Sequence, residues 1–211
     1  MENILFQEKL PYFTTPFLIS LFSNYKSPRD KIKYLTQNED LIHIKQGLYT
    51  LGRNYNRTYS REVVSGMLYG PSAISMEYAL SFHGLIPERV EKITCICFKR
   101  DKFFTTPIGL FSYKYLPLPK YIIGIQYHRT ELGNFFIAAP EKALCDKVYF
   151  SSIKAKSEVL EYLLEELRIN IMQLLKLDIN LLTRLSENYK RKNTLYLLQT
   201  IVRLQTENKE R

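Results

Sequence analysis

The chain has 211 residues, 45% hydrophobic and 13% aromatic, enough to bury a core in one or two domains and too apolar for a disordered segment. Its 30 Lys and Arg against 21 Asp and Glu leave a formal net charge of +9, which points to a polyanionic partner such as nucleic acid, since clustered cations release counterions from phosphates. No window approaches the roughly 20 apolar residues of a membrane span, MENILFQEKL lacks the pattern of a secretion signal, and three cysteines with no metal-ligand spacing suit a reduced, cytoplasmic protein.

The first 24 residues read as a lead-in and a helix. Thr14 and Thr15 are candidate caps, Pro16 fits the first turn, and Phe17, Leu18, Leu21 and Phe22 form an apolar stripe. Ser27 and Pro28 open a second helix to about Gln37, with Ile32 and Leu35 inward and Arg29, Lys31, Lys33 and Tyr34 outward. LIHIKQGLYTL, residues 41–51, reads as a hairpin in which Ile42 and Ile44 alternate with His43 and Lys45, and Gln46 and Gly47 turn the chain. Helix, turn, basic helix and hairpin is the order of a winged helix-turn-helix, where one helix enters the major groove and the hairpin reaches phosphates or the minor groove. The same elements also suit a helical cap beside an ordinary hairpin; the basic residues on both favour DNA. Arg29, Lys31, Lys33 and Tyr34 would contact bases and backbone. Lys26, Ser27, His43, Lys45, Gln46 and Arg53 would hold the protein on phosphates.

Residues 52–60, GRNYNRTYS, are polar and turn-prone and mark a boundary, giving a winged helix over 1–54 and a second domain over 58–211. A helix over Ser60 to Leu68 should turn Val63, Val64 and Met67 inward. Pro71 to Pro87 reads as one helix, entered at Pro71 and Ser72, with Ala73, Met76, Ala79, Leu80 and Phe82 at near-helical spacing and Gly84 as its end. KITCICF, residues 92–98, looks like a strand buried on both faces, followed by the basic turn KRDK. Further strands are predicted over 103–106, 109–116, 122–128 and 134–138, in a mainly antiparallel sheet because the connections are too short for crossover helices. Pro140 opens another helix, and leucine spacing predicts a C-terminal helical bundle over about 156–206, with Asp178 and Asn193 as caps. The fold class is therefore α+β.

Several ordered stretches, KQGLYTL, PSAISMEYALSFHGLIPERVEKITCICFKR, IGLFSYKYLP and FFIAAPEKALCDKVYF, resemble the AbiEi family of antitoxins from type IV toxin-antitoxin and abortive-infection systems, over about residues 10–170. Gly47, Leu48 and Tyr49 match the family's wing, although Lys45 and Gln46 stand where relatives usually carry arginine before the glycine. Ser75, Glu77, Ala79, Leu80, His83 and Gly84 match its serine, Ala-Leu and His-Gly helix; Pro140, Glu141, Lys142, Ala143, Leu144 and Asp146 match its Pro-Glu-Lys-Ala-Leu-x-Asp helix. The resemblance implies a bifunctional protein. Its winged helix would bind repeats upstream of its own operon as an autorepressor, and the following domain would counteract a nucleotidyltransferase-like toxin.

An enzymatic reading would have to use Glu77, His83, Glu141, Lys142 and Asp146. Glu141, Lys142 and Asp146 share residue types with metal-dependent nucleases, but adjacent helical residues point about 100° apart. A first-turn acid and an i, i+4 pair explain them more simply. Three scattered histidines offer no metal centre. No catalysis, cofactor or metal is expected; a protein-binding scaffold without DNA function is the alternative.

Overall fold

The computed structural model describes residues 4–52, 54–55 and 58–210, so Arg53 lies outside the described residues. Strand β1 (Tyr12–Thr14) runs directly into helix α1 (Thr15–Leu21), where the Thr14 hydroxyl accepts from the Phe17 amide at 3.4 Å. Helix α2 (Pro28–Gln37) starts at the predicted Ser27-Pro28 step, because proline gives up an amide that has no partner in a first turn, and it buries Ile32 and Leu35. Strands β2 (Leu41–Lys45) and β3 (Leu48–Leu51) form the predicted hairpin around Gln46 and Gly47, with Gly47 at φ +83°. β1 adds to β3, completing an antiparallel sheet of order β1-β3-β2. Phe13, Leu18, Phe22, Ile32, Leu35 and Leu51 sit in the small core beneath it. Gly52 closes this unit: a Cβ there would stand 1.6 Å from the Glu39 carbonyl oxygen, and its amide donates to Asp40 O at 2.8 Å.

Helix α3 (Arg61–Leu68) follows, capped by the Ser60 hydroxyl, which accepts from the Val63 amide at 3.1 Å. It buries Val63, Val64 and Leu68, whereas Met67, expected inward, is 43% exposed. The expected helix over Pro71–Pro87 is corrected in its first half: Ser72–Ile74 is a buried strand, β4, and the helix α4 covers only Met76–Phe82. Thr94 fixes the change of direction. Its hydroxyl donates to Ser75 O at 2.6 Å and accepts from the Tyr78 amide at 3.0 Å, while Met76 takes φ +54°. Ala73 consequently lies in the sheet opposite Ile96 rather than on a helix face.

Strands β5 (Ile93–Cys97), β6 (Lys102–Thr106) and β7 (Gly109–Tyr115), the short helix α5 (Leu118–Tyr121), and strands β8 (Ile125–Thr130) and β9 (Gly133–Ala138) complete a six-stranded sheet of order β6-β7-β5-β4-β9-β8. All five residues of β5 are buried, as the apolar run predicts. The sheet is mixed: three of its five pairings are antiparallel, as expected, while β7 pairs with β5 and β9 with β4 in parallel. Short connections do not forbid this, since β6 itself carries the chain from β5 back to the start of β7.

Four helices follow helix α6 (Pro140–Tyr149): α7 (Ser157–Glu161), which runs on into a wide π turn over Tyr162–Glu166, α8 (Ile171–Leu174), α9 (Ile179–Tyr189) and α10 (Lys192–Lys209); α6 packs on α4, α9 and α10, and α10 also packs on α7. Asp178 caps α9 as predicted, accepting from Asn180 N and Leu181 N. Asn193 does not cap α10. Arg191 holds that position, and buried Asn193 donates to Val148 O at 2.6 Å. Leu182, Leu185, Leu197 and Ile201 share one core with the sheet. Among the described residues no helix is long and apolar enough to cross a membrane.

Candidate functional site

The exposed side of α2 follows from its period: with Ile32 and Leu35 buried, Arg29, Lys33 and Tyr34 must point away, and Tyr34 is 54% exposed. Lys31 lies over the rings of Tyr25 and Tyr34, at 5.2 and 5.1 Å from their centroids, so its ammonium is steered along this surface. Lys26 is exposed just ahead of the helix, and Ser27, at the N-cap, makes no side-chain cap bond.

Between α2 and the hairpin runs a groove of about 530 Å³, lined by Thr15, Arg29, Lys33, Thr36, His43 and Tyr49, among others. His43 and Tyr49 face each other across the hairpin, with ring centroids 4.8 Å apart. Tyr49 was not among the expected contacts, although the register set by the Gln46-Gly47 turn places it opposite His43. Thr36 and His43 also line a second groove of about 350 Å³, which reaches Pro107 at the β6–β7 turn. One surface therefore connects α2 with the edge of the larger sheet.

The hairpin tip is divided. Gln46 is exposed, but Lys45 turns inward and its ammonium donates to the carbonyl of Leu68, at the C-terminus of α3, 5.4 Å from the Phe104 ring centroid. Burial, with the ammonium of Lys99 close by, holds Lys45 below the ordinary lysine range. Ile44 and Leu48, on either side of the turn, belong to the larger core. Lys45 is thus a joint between the two parts of the fold rather than a free phosphate contact.

The two motifs in the second part meet in a buried polar network. Lys142 and Asp146 have 0% exposed side chains and bond at 2.8 Å. The Lys142 ammonium also donates to Lys120 O at 2.7 Å and to the Tyr189 hydroxyl, which accounts for its three protons. Asp146 Oδ1 accepts from Tyr189 as well, and Oδ2 accepts from the Ser75 hydroxyl at 2.5 Å. Gly124 makes room, for a Cβ there would stand 2.8 Å from Lys142 Cβ. Burial and the Asp146 charge push the Tyr189 hydroxyl well up, so it stays a donor.

Glu141, one residue earlier, points elsewhere and accepts from the Asp178 amide at 2.9 Å, which anchors the start of α9. Glu77 pairs with Lys147 at 2.6 Å, and His83 Nε2 donates to Ala138 O at 2.8 Å. The expected motif residues are therefore not one constellation but four separate ties between elements. Tyr189 and Lys120 complete the buried network without any sequence signal, being remote in the chain from Ser75 and Asp146. Among the described residues, no group of three His, Cys, Asp or Glu side chains gathers to hold a metal ion.

Comparison of the chain with protein-family models and with curated proteins found no match.

Proposed function

We propose that the protein is a DNA-binding autorepressor that also serves as the antitoxin of a type IV toxin-antitoxin pair, counteracting a nucleotidyltransferase-like toxin. The observation that carries the DNA half is the basic exposed surface of α2, where Arg29 and Lys33 line a groove floored by the hairpin and Lys31 lies on the helix's other flank over Tyr25 and Tyr34. Strand, helix, helix and hairpin, with the first strand closing a three-stranded sheet, is the topology expected of a winged helix-turn-helix. In this reading α2 enters the major groove, and Lys26, Ser27, His43 and Gln46 flank it on phosphates. Arg53 keeps the same expected role. The antitoxin half rests on the resemblance of the Ser75–Gly84 and Pro140–Asp146 motifs to the AbiEi family. Their buried ties to neighbouring elements suit residues that shape a domain rather than touch a partner.

The test is a gel shift with duplex DNA from upstream of the protein's own gene. Lys31→Glu with Lys33→Glu should abolish specific binding, and the unmodified chain should lose affinity steeply with salt, by a log-log slope of about 0.9 per phosphate contacted. Salt-insensitive binding, or none, overturns the DNA half. The inward turn of Lys45 favours a second reading, a protein-binding module without DNA function, because a docked hairpin tip is a poor wing. That reading predicts protection from the neighbouring toxin without any operator binding by the unmodified chain.

A further inference from the structure

The groove between α2 and the hairpin offers more than a phosphate can use. One wall is a row of exposed α2 side chains four residues apart, Arg29, Lys33 and Gln37. The other is the hairpin pair His43 and Tyr49, with ring centroids 4.8 Å apart. Both walls are held from behind: Ile32 and Leu35 root α2 in the small core, and Ile44 and Leu48 root the hairpin in the larger one. Thr15, which also lines the groove, ties α1 to the hairpin turn, its amide donating to Gly47 O at 3.1 Å. Among the described residues that line the groove none is acidic, and among the described residues neither Arg29 nor Lys33 pairs with an acid. The Gln37 amide carries both a donor and an acceptor. A bare phosphate needs only the two cations. The volume, about 530 Å³, falls within the roughly 300–1,000 Å³ of small-molecule pockets. An aromatic wall adds nothing for an inorganic anion, whereas a flat heteroaromatic ring stacks on it, and an anionic tail on that ring then meets Arg29 and Lys33.

We propose that this groove binds a free nucleotide, its base against His43 and Tyr49 and its phosphates on Arg29 and Lys33, and that the bound nucleotide displaces operator DNA from α2. The displacement rests on the DNA reading above, because the same two cations hold either ligand. The nucleotide site stands on the groove alone.

Calorimetric titration of the full chain with ATP, adenosine and inorganic tripolyphosphate tests the site. ATP should bind about tenfold tighter than tripolyphosphate, the contribution of one base stacked on an aromatic ring, and tighter than adenosine. Tyr49→Phe should keep that margin and Tyr49→Leu should remove it, with tripolyphosphate binding unchanged in both. Arg29→Ala with Lys33→Ala should weaken ATP and tripolyphosphate alike. Equal affinities of the unmodified chain for ATP and tripolyphosphate overturn the site, and that comparison needs no variant to fold. The displacement is read by fluorescence anisotropy of the upstream duplex with the unmodified chain, adding ATP at ten times its measured dissociation constant. ATP should weaken operator binding about tenfold, and tripolyphosphate at the same concentration and ionic strength by no more than about twofold. Undiminished operator affinity with ATP bound overturns the displacement. Operator binding without any ATP binding overturns the whole inference and spares the DNA reading. ATP binding without operator binding overturns the DNA reading, and the displacement with it, and upholds the site.

Discussion

A lysine with no exposed atom is stable only if each ammonium proton has an acceptor, and Lys142 has the Lys120 carbonyl, Asp146 and Tyr189. Removing the cation strands a buried carboxylate. Lys142→Met should therefore cost about 3–5 kcal/mol in urea unfolding, whereas Lys142→Met with Asp146→Leu should recover much of it, because a buried pair replaced by apolar side chains is often neutral. A double variant as unstable as the single would show that Ser75 and Tyr189 depend on the carboxylate itself. The i, i+4 spacing of this pair was readable in the sequence, but its burial was not. The partners that make burial tolerable, Ser75 and Tyr189, stand 71 residues before and 43 after Asp146.

Between elements, Glu77 on α4 and Lys147 on α6 form a tie that responds to pH. Burial alone would raise the Glu77 carboxyl, but the hydrogen bond and charge of Lys147 outweigh it and hold it below its ordinary value of 4.5. Burial would lower Lys147, and Glu77 outweighs that too, holding it above 10.5. A depressed carboxyl stabilises the fold above its ordinary value and loses that effect as pH falls through the folded value; a raised ammonium keeps its contribution until pH climbs past 10.5. The stability difference between the unmodified chain and Glu77→Gln should be level from about pH 6 to 9 and shrink below about pH 4. A difference that stays level throughout acid titration of the folded protein would assign the effect to packing instead. Elements with local signals were legible, among them α2 from Ser27 and Pro28 and the β2–β3 hairpin from its alternation. Strand β4 was not, because three residues between Pro71 and Ser75 show no period, and Ser72–Ile74 becomes a strand only through pairing with β5 and β9.

Over the whole molecule, two cores meet at the hairpin tip. The polar stretch 52–60 lies between most of their residues in sequence, but Ile44 and Leu48, which precede it, are buried in the larger core, and Tyr12 and Ile42 pack against it. The hydroxyl of Tyr12 accepts from the Ser60 amide at 2.8 Å, and burial, with Glu62 nearby, pushes that hydroxyl up to about 12. The boundary expected from composition is thus bridged by side chains, which composition does not report. A chain of residues 58–211 alone should be less stable than the same region in the full protein by about 3 kcal/mol or more, taking at least 1.5 for each lost apolar side chain. Hydrogen exchange on β4 and α3 would read the loss; unchanged protection there would show the larger core to be self-sufficient.

The Lys142 network also orders events during synthesis. The small N-terminal core is closed by Tyr55, but Asp146 gains its last partner only with Tyr189, and Leu197 and Ile201 follow later still. A ribosome delivering the chain from its N-terminus presents the small core, complete except for the hairpin tip that waits on the larger one, well before the sheet has its helical cover. In that interval the nascent sheet is the aggregation-prone part, and the demand for chaperones falls there.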